Sequence, residues 1–209
     1  MSIRLDLAGI ARREWIRWGG PVEKIDGQRL GFTHKRMEAQ HPFWVYVGEY
    51  WRAAGSSLDG RDKPPWSGAF ICYCFREANA GDRFPYSDNH SRYMAAIDGG
   101  QHPGLTLVDV ATARLEVGDL LWASRTGDEC RRPPATFASA HRELTAIRNG
   151  TASTFCSHSD IVVDVRPGEV DVIGGNVSQA VTRTTYRLDT KGQVRDGRRS
   201  FLGVLKNAL

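Results

Sequence analysis

The sequence predicts an α+β fold, with helices in the first half and an antiparallel sheet in the second. Up to about residue 100, apolar residues recur every three or four positions. Beyond about residue 105 they gather into short β-branched runs separated by turn residues. The 209 residues suffice for one domain, spanning 1–209, with a sizeable core, and no low-complexity linker divides it.

Taken in order, Leu7, Ala11, Trp15 and Trp18 mark a first amphipathic helix that Gly19-Gly20-Pro21 ends. A second helical pattern runs from about Met37 to Ala54, with Phe43, Val47, Tyr50 and Trp51 on its apolar side and His41-Pro42 interrupting or starting it. Gly55 to Lys63 forms a polar loop leading to Pro64-Pro65. From Ser67 to about Ala78 the spacing of Phe70, Ile71, Cys74 and Ala78 is helical again. A fourth helix follows Ser87, which is placed to cap it, with Tyr93, Met94 and Ile97 inward. Then Leu105–Val110 and Gly118–Ala123 are predicted as strands. Arg125 to Phe155 is predicted as an insertion carrying a short helix (Phe137, His141, Leu144, Ile147). A β-meander is expected over 160–166, 169–174, 181–188 and 200–205.

Three segments carry possible chemistry. Pro64-Pro65-Trp66-Ser67-Gly68-Ala69-Phe70 places Ser67 at a helix start, where free N–H groups and the helix dipole favour developing negative charge. A small hydroxyl residue there is either an N-cap or a nucleophile. Ser157-His158-Ser159-Asp160 opens an aliphatic strand, and Ile173-Gly174-Gly175-Asn176 ends the next. A nucleophile at a helix start, a histidine entering one strand and an amide ending the next follow the logic of a papain-like hydrolase.

These residues resemble the CHAP and NlpC-type amidases and peptidases of bacterial cell walls. The Trp66-to-Phe70 helix start, the Ser157-to-Val163 strand, the Gly174-Gly175-Asn176 ending and the Gly118-Asp119-Leu120 step carry the likeness. The chain is still more similar to an uncharacterised bacterial family of serine-bearing relatives, defined only as a domain of unknown function. Phe84-Pro85-Tyr86-Ser87, His90-Ser91-x-Tyr93 and Ile173-Gly174-Gly175-Asn176-Val177 carry that second likeness, which covers roughly residues 40 to 205. The resemblance implies a papain-like domain, helices packed on an antiparallel sheet, that hydrolyses an amide bond in peptidoglycan. It also implies a phage-type lysin or an injected antibacterial effector, with an inhibitor or immunity protein as a partner.

In that reading Ser67 attacks a carbonyl carbon, His158 takes and returns the proton, and Asn176 or Asp160 orients the imidazole. Trp66, His90 and Tyr93 are expected to line the substrate cleft. Two positions depart from the CHAP pattern, since Ser67 stands where the family has cysteine and Gly174 where it has glutamate. A hydroxyl cannot be held ionised as a thiol can, so Ser67 depends more heavily on an oriented base. A binding module that has lost catalysis and a serine esterase therefore stay open beside the amidase.

Bulk properties narrow the partners. The net charge of +4 suits an anionic polymer, but the basic residues are dispersed and not interleaved with aromatics, which argues against nucleic acid. No apolar run is long enough to span a membrane, and the first residues lack the apolar core of a secretory signal. Synthesis in the bacterial cytoplasm is expected, with non-classical delivery to a periplasm or cell wall if the substrate lies there. Four cysteines, with no CxxC pair and no histidine-rich spacing, give no reason to expect a metal or other cofactor. Free thiols are expected, although Cys130 and Cys156 bracket the insertion and could pair in an oxidising compartment.

Overall fold

A computed structural model describes residues 2–62, 64–127 and 130–209. Its α-helices are α1 (Arg4–Arg17), α2 (Phe43–Ala53), α3 (Ser67–Glu77), α4 (His90–Asp98) and α5 (Phe137–Arg148). The strands are β1 (Val22–Glu23), β2 (Arg29–Leu30), β3 (Leu105–Asp109), β4 (Leu120–Ser124), β5 (Ser157–Arg166), β6 (Glu169–Val177), β7 (Ala180–Arg187) and β8 (Phe201–Asn207). They form one eight-stranded sheet in the order β2-β1-β7-β6-β5-β4-β8-β3. The fold is therefore mixed α+β.

Several boundaries differ from the sequence expectation for physical reasons. α2 begins at Phe43 rather than near Met37, because Pro42 occupies the N-cap position and has no N–H to continue a helix backwards. Asn89, not Ser87, caps α4; its side chain accepts from the Arg92 N–H, while the Ser87 hydroxyl accepts from the Asn89 N–H. The meander covers only β5, β6 and β7. β8 instead pairs with β4 and β3, closing the far side of the sheet. The hairpin of β1 and β2 is new, its strands being too short to show periodicity, and β1 extends the sheet parallel to β7.

Alternation along the strands divides the apolar side chains between two cores. Ile161, Val163 and Ile173 join the larger core with Trp18, Trp66, Phe70 and Phe75 from the helical layer. Val162, Val170 and Val172 join a smaller core on the opposite face, with Leu115, Tyr186 and Leu188. The Gly118-Asp119 step is a structural knot. The fully buried Asp119 carboxylate accepts from Lys206 and from the backbone N–H groups of Glu116 and Asn207, tying the entry of β4 to β8.

Cys72 and Cys74 are free and buried inside α3. Cys130 and Cys156, expected as free thiols, form a disulfide with Cα atoms 5.6 Å apart, clamping the base of the 125–155 excursion beside the start of β5. Among the described residues, no helix is long and apolar enough to cross a membrane.

Candidate active site

Trp66 holds the N-cap position of α3 and Ser67 is its first helical residue, so the serine side chain is not used as a cap. Its Oγ instead lies 2.7 Å from His90 Nε2. Two close approaches make that contact possible. A Cβ at Gly68 would fall on the carbonyl oxygen of Asp88, so only glycine lets the α3 start sit against the segment leading into α4. A Cβ at Gly175 would run into Phe70 and the Trp66 ring, so a bare backbone there lets α3 lie directly on β6.

His90 and Tyr93 are three residues apart on α4 and therefore share a face. His90 Nδ1 lies 2.6 Å from the Tyr93 hydroxyl, which donates onward to Ser159 Oγ at 3.0 Å. With its one proton committed to Ser159, Tyr93 can only accept from His90, which places the imidazole proton on Nδ1. The Nε2 lone pair is then left facing Ser67. Burial, and next the neighbouring His158 and Arg125, push the His90 pKa well below the ordinary imidazole value; Asp160 opposes them. His90 is thus neutral near pH 7 and presents an acceptor to the serine hydroxyl.

A second pair stands beside the first. His158 and Asp160 lie two residues apart on one face of β5, while Ser159 faces α4 from the other. His158 Nε2 is 2.8 Å from Asp160 Oδ1, and Arg199 approaches Asp160 Oδ2 to 3.7 Å. Because the carboxylate accepts at Nε2, neutral His158 carries its lone pair on Nδ1. Burial raises the Asp160 pKa, but His158, Arg199 and His90 together outweigh it and leave the carboxyl below its ordinary value. The rings of His90 and His158 have centroids 5.4 Å apart.

Gly174 makes room for this pair. A Cβ there would coincide with Asp160 Oδ1 and come within 2.9 Å of His158 Nε2. Glycine at this position leaves room for the carboxylate and the imidazole.

The structure redistributes the sequence-derived roles. Ser67 pairs with His90 rather than with His158. Asp160 holds His158, whereas Asn176 makes no side-chain hydrogen bond among the described residues and lines a groove instead. Trp66 is not a cleft wall: it is buried against Trp18 and Tyr50 and its indole N–H donates to Glu38. His90 and Tyr93 are buried as well, so they support Ser67 rather than line the cleft.

The groove, about 400 Å3, has His158 and Asn176 in its wall together with Arg29, Arg125, Arg198 and Arg199. Ser67 is 4% exposed and lies outside that lining. Sequence reasoning missed Ser159 and Arg199. Ser159 gave no signal, and Arg199 was one basic residue among those dispersed along the chain. The His90–Tyr93 spacing was the one clue to a second histidine.

At the start of α3, Phe70 is the first residue whose N–H bonds back, to the Trp66 carbonyl at 3.0 Å. The N–H groups of Gly68 and Ala69 precede it and have no backbone acceptor among the described residues. They are donors suited to an oxyanion. Among the described residues, no group of three or more His, Cys, Asp or Glu side chains is arranged to hold a metal ion.

The profile of a family described as "Uncharacterized protein conserved in bacteria (DUF2272)" matches residues 35–204. No curated protein and no solved structure matches the chain.

Proposed function

The chain belongs to the bacterial DUF2272 family, and we propose that it is a serine acyl hydrolase cleaving an amide bond. The observation that carries this reading is the 2.7 Å contact between Ser67 Oγ and His90 Nε2 at a helix N-terminus. Ser67 Oγ attacks the carbonyl carbon as its proton passes to His90 Nε2. The oxyanion forms against the Gly68 and Ala69 N–H groups. Collapse breaks the C–N bond, and the departing amine takes the proton that His90 Nε2 received from Ser67. Water then adds to the acyl-serine, giving its proton to a histidine, and release of the acid regenerates Ser67.

His158, held by Asp160 and reaching the groove, offers its Nδ1 lone pair to the incoming water. Asp160 also steadies the imidazolium that His90 becomes. The arrangement of α3 against β5 and β6 supports a papain-like relationship, in which the serine replaces a thiol and Asp160 replaces a glutamate.

The resemblance, rather than the groove, suggests peptide amide bonds of the bacterial cell wall as substrate, and with it an effector or lysin role and an inhibitor partner. The Cys130–Cys156 disulfide suits work in an oxidising compartment outside the cytoplasm.

Incubating wild type, Ser67→Ala and His90→Gln protein with isolated sacculi, and identifying released fragments by mass spectrometry, tests the substrate. Fragments from wild type alone are expected. Cleavage of simple esters but not sacculi would make the enzyme an esterase. The burial of Ser67 favours one further reading, a module that binds through the groove without turnover. Equal activity toward neither substrate in all three proteins, with intact sacculus binding, would establish it.

A further inference from the structure

We propose that the groove beside His158 binds a carboxylate on the substrate, so that the cleaved acyl group belongs to an acidic molecule. The substrate assignment rests on the acyl-hydrolase reading, although the binding site itself does not. Four arginines, Arg29, Arg125, Arg198 and Arg199, contribute to its wall, and among the described residues no aspartate or glutamate does.

The acids that accompany Arg29, Arg198 and Arg199 are more buried than the arginines. Glu23 lies 3.0 Å from Arg29 and 3.7 Å from Arg198; Asp196 lies 2.8 Å from Arg198; Asp160 lies 3.7 Å from Arg199. Their side chains are only 14%, 5% and 4% exposed, whereas those of Arg29, Arg198 and Arg199 are 56%, 26% and 26% exposed. Arg198 spends its N–H groups on Asp196, Glu23 and the carbonyls of Lys24 and Thr185, whereas Arg29 gives only its Nε–H to Glu23 and keeps its terminal N–H groups without a hydrogen-bond acceptor among the described residues. A planar fork of N–H donors matches a carboxylate in a bidentate pair.

The remaining wall is polar rather than apolar, with Asn176 and the Ser200 hydroxyl able to donate as well. At about 400 Å3 the groove has the volume of a small-ligand site but not its usual apolar lining. Arg199 links it to the chemistry, because the same guanidinium borders the groove and approaches the carboxylate that holds His158. An anion seated there lies next to the proton-transfer pair.

Calorimetry on intact Ser67→Ala protein tests this without turnover. The probes are a short N-acetylated peptide with a free terminal carboxylate, its carboxamide twin and inorganic phosphate. The carboxylate is expected to bind at least about tenfold more tightly than the amide, weakening as salt rises. That preference is expected to collapse in Arg29→Gln and in Arg199→Gln, with each variant's fold checked by circular dichroism. Equal affinity for the two peptides overturns the proposal, as does phosphate binding more tightly than the carboxylate peptide. Since binding is read on a protein without the nucleophile, these results are independent of whether Ser67 reacts.

Discussion

Ser67 and His90 form a hydrogen-bonded pair whose proton positions are set from outside it, by Tyr93 and Ser159. Tyr93→Phe removes the acceptor that fixes the His90 tautomer, and is expected to lower kcat on a cleaved substrate by about 10–100-fold with KM little changed. Burial gives His90 a second signature, in stability. Its folded pKa lies below the unfolded value of 6.5, so below that pH the unfolded chain binds a proton that the folded chain does not. Stability therefore falls as pH drops beneath 6.5, by up to about 1.4 kcal/mol per pH unit from this group until its folded pKa is reached. Urea titrations from pH 7 to 5 are expected to show a shallower decline in His90→Gln than in wild type. Asp160 acts in a separate window, below its ordinary carboxyl value, because its folded pKa is lowered. Ser67 was legible as a residue of interest because prolines, then helical spacing, fix a helix start. Its partner was not, because the helix carrying His90 meets Ser67 only through the tertiary approach at Gly68.

At the scale of elements, the site depends on how closely α3 approaches its neighbours. Gly68→Ala places a methyl group on the Asp88 carbonyl oxygen. It is expected to cost about 1–3 kcal/mol in urea unfolding, and to reduce turnover more than the stability loss explains by parting Ser67 from His90. Gly174→Ala crowds Asp160 and His158 directly and is expected to impair turnover while Ser67 and His90 stay paired. The double glycine reads in sequence as a turn or bulge. In the fold each glycine clears space on a different face of β6, one for a carboxylate and one for a helix. The disulfide belongs to this scale too. It closes a loop between residues 26 apart, and Cys130→Ser is expected to lower stability by about 3 kcal/mol under oxidising conditions and by almost nothing in reductant.

For the whole molecule, one sheet joins the two ends of the chain, with the helical layer over one face and the smaller core beneath the other. The α+β class was legible because a period near 3.6 gives way to β-branched runs partway along the sequence. The order of the strands was not, since local pattern carries no information on which partner β8 chooses. Asp119 makes that choice visible, and Asp119→Ala, which leaves the Asn207 and Glu116 N–H groups without their acceptor and Lys206 with only Glu116 and the Arg114 carbonyl, is expected to cost about 3 kcal/mol in thermal unfolding. The whole arrangement converges on one claim, that Ser67 is a nucleophile activated by His90. Reaction with a fluorophosphonate, followed by intact mass and peptide mapping, tests it most directly. A single adduct on Ser67 is expected in wild type, at least about 100-fold slower in His90→Gln and absent in Ser67→Ala. No adduct on wild type, or the same rate without His90, would contradict it.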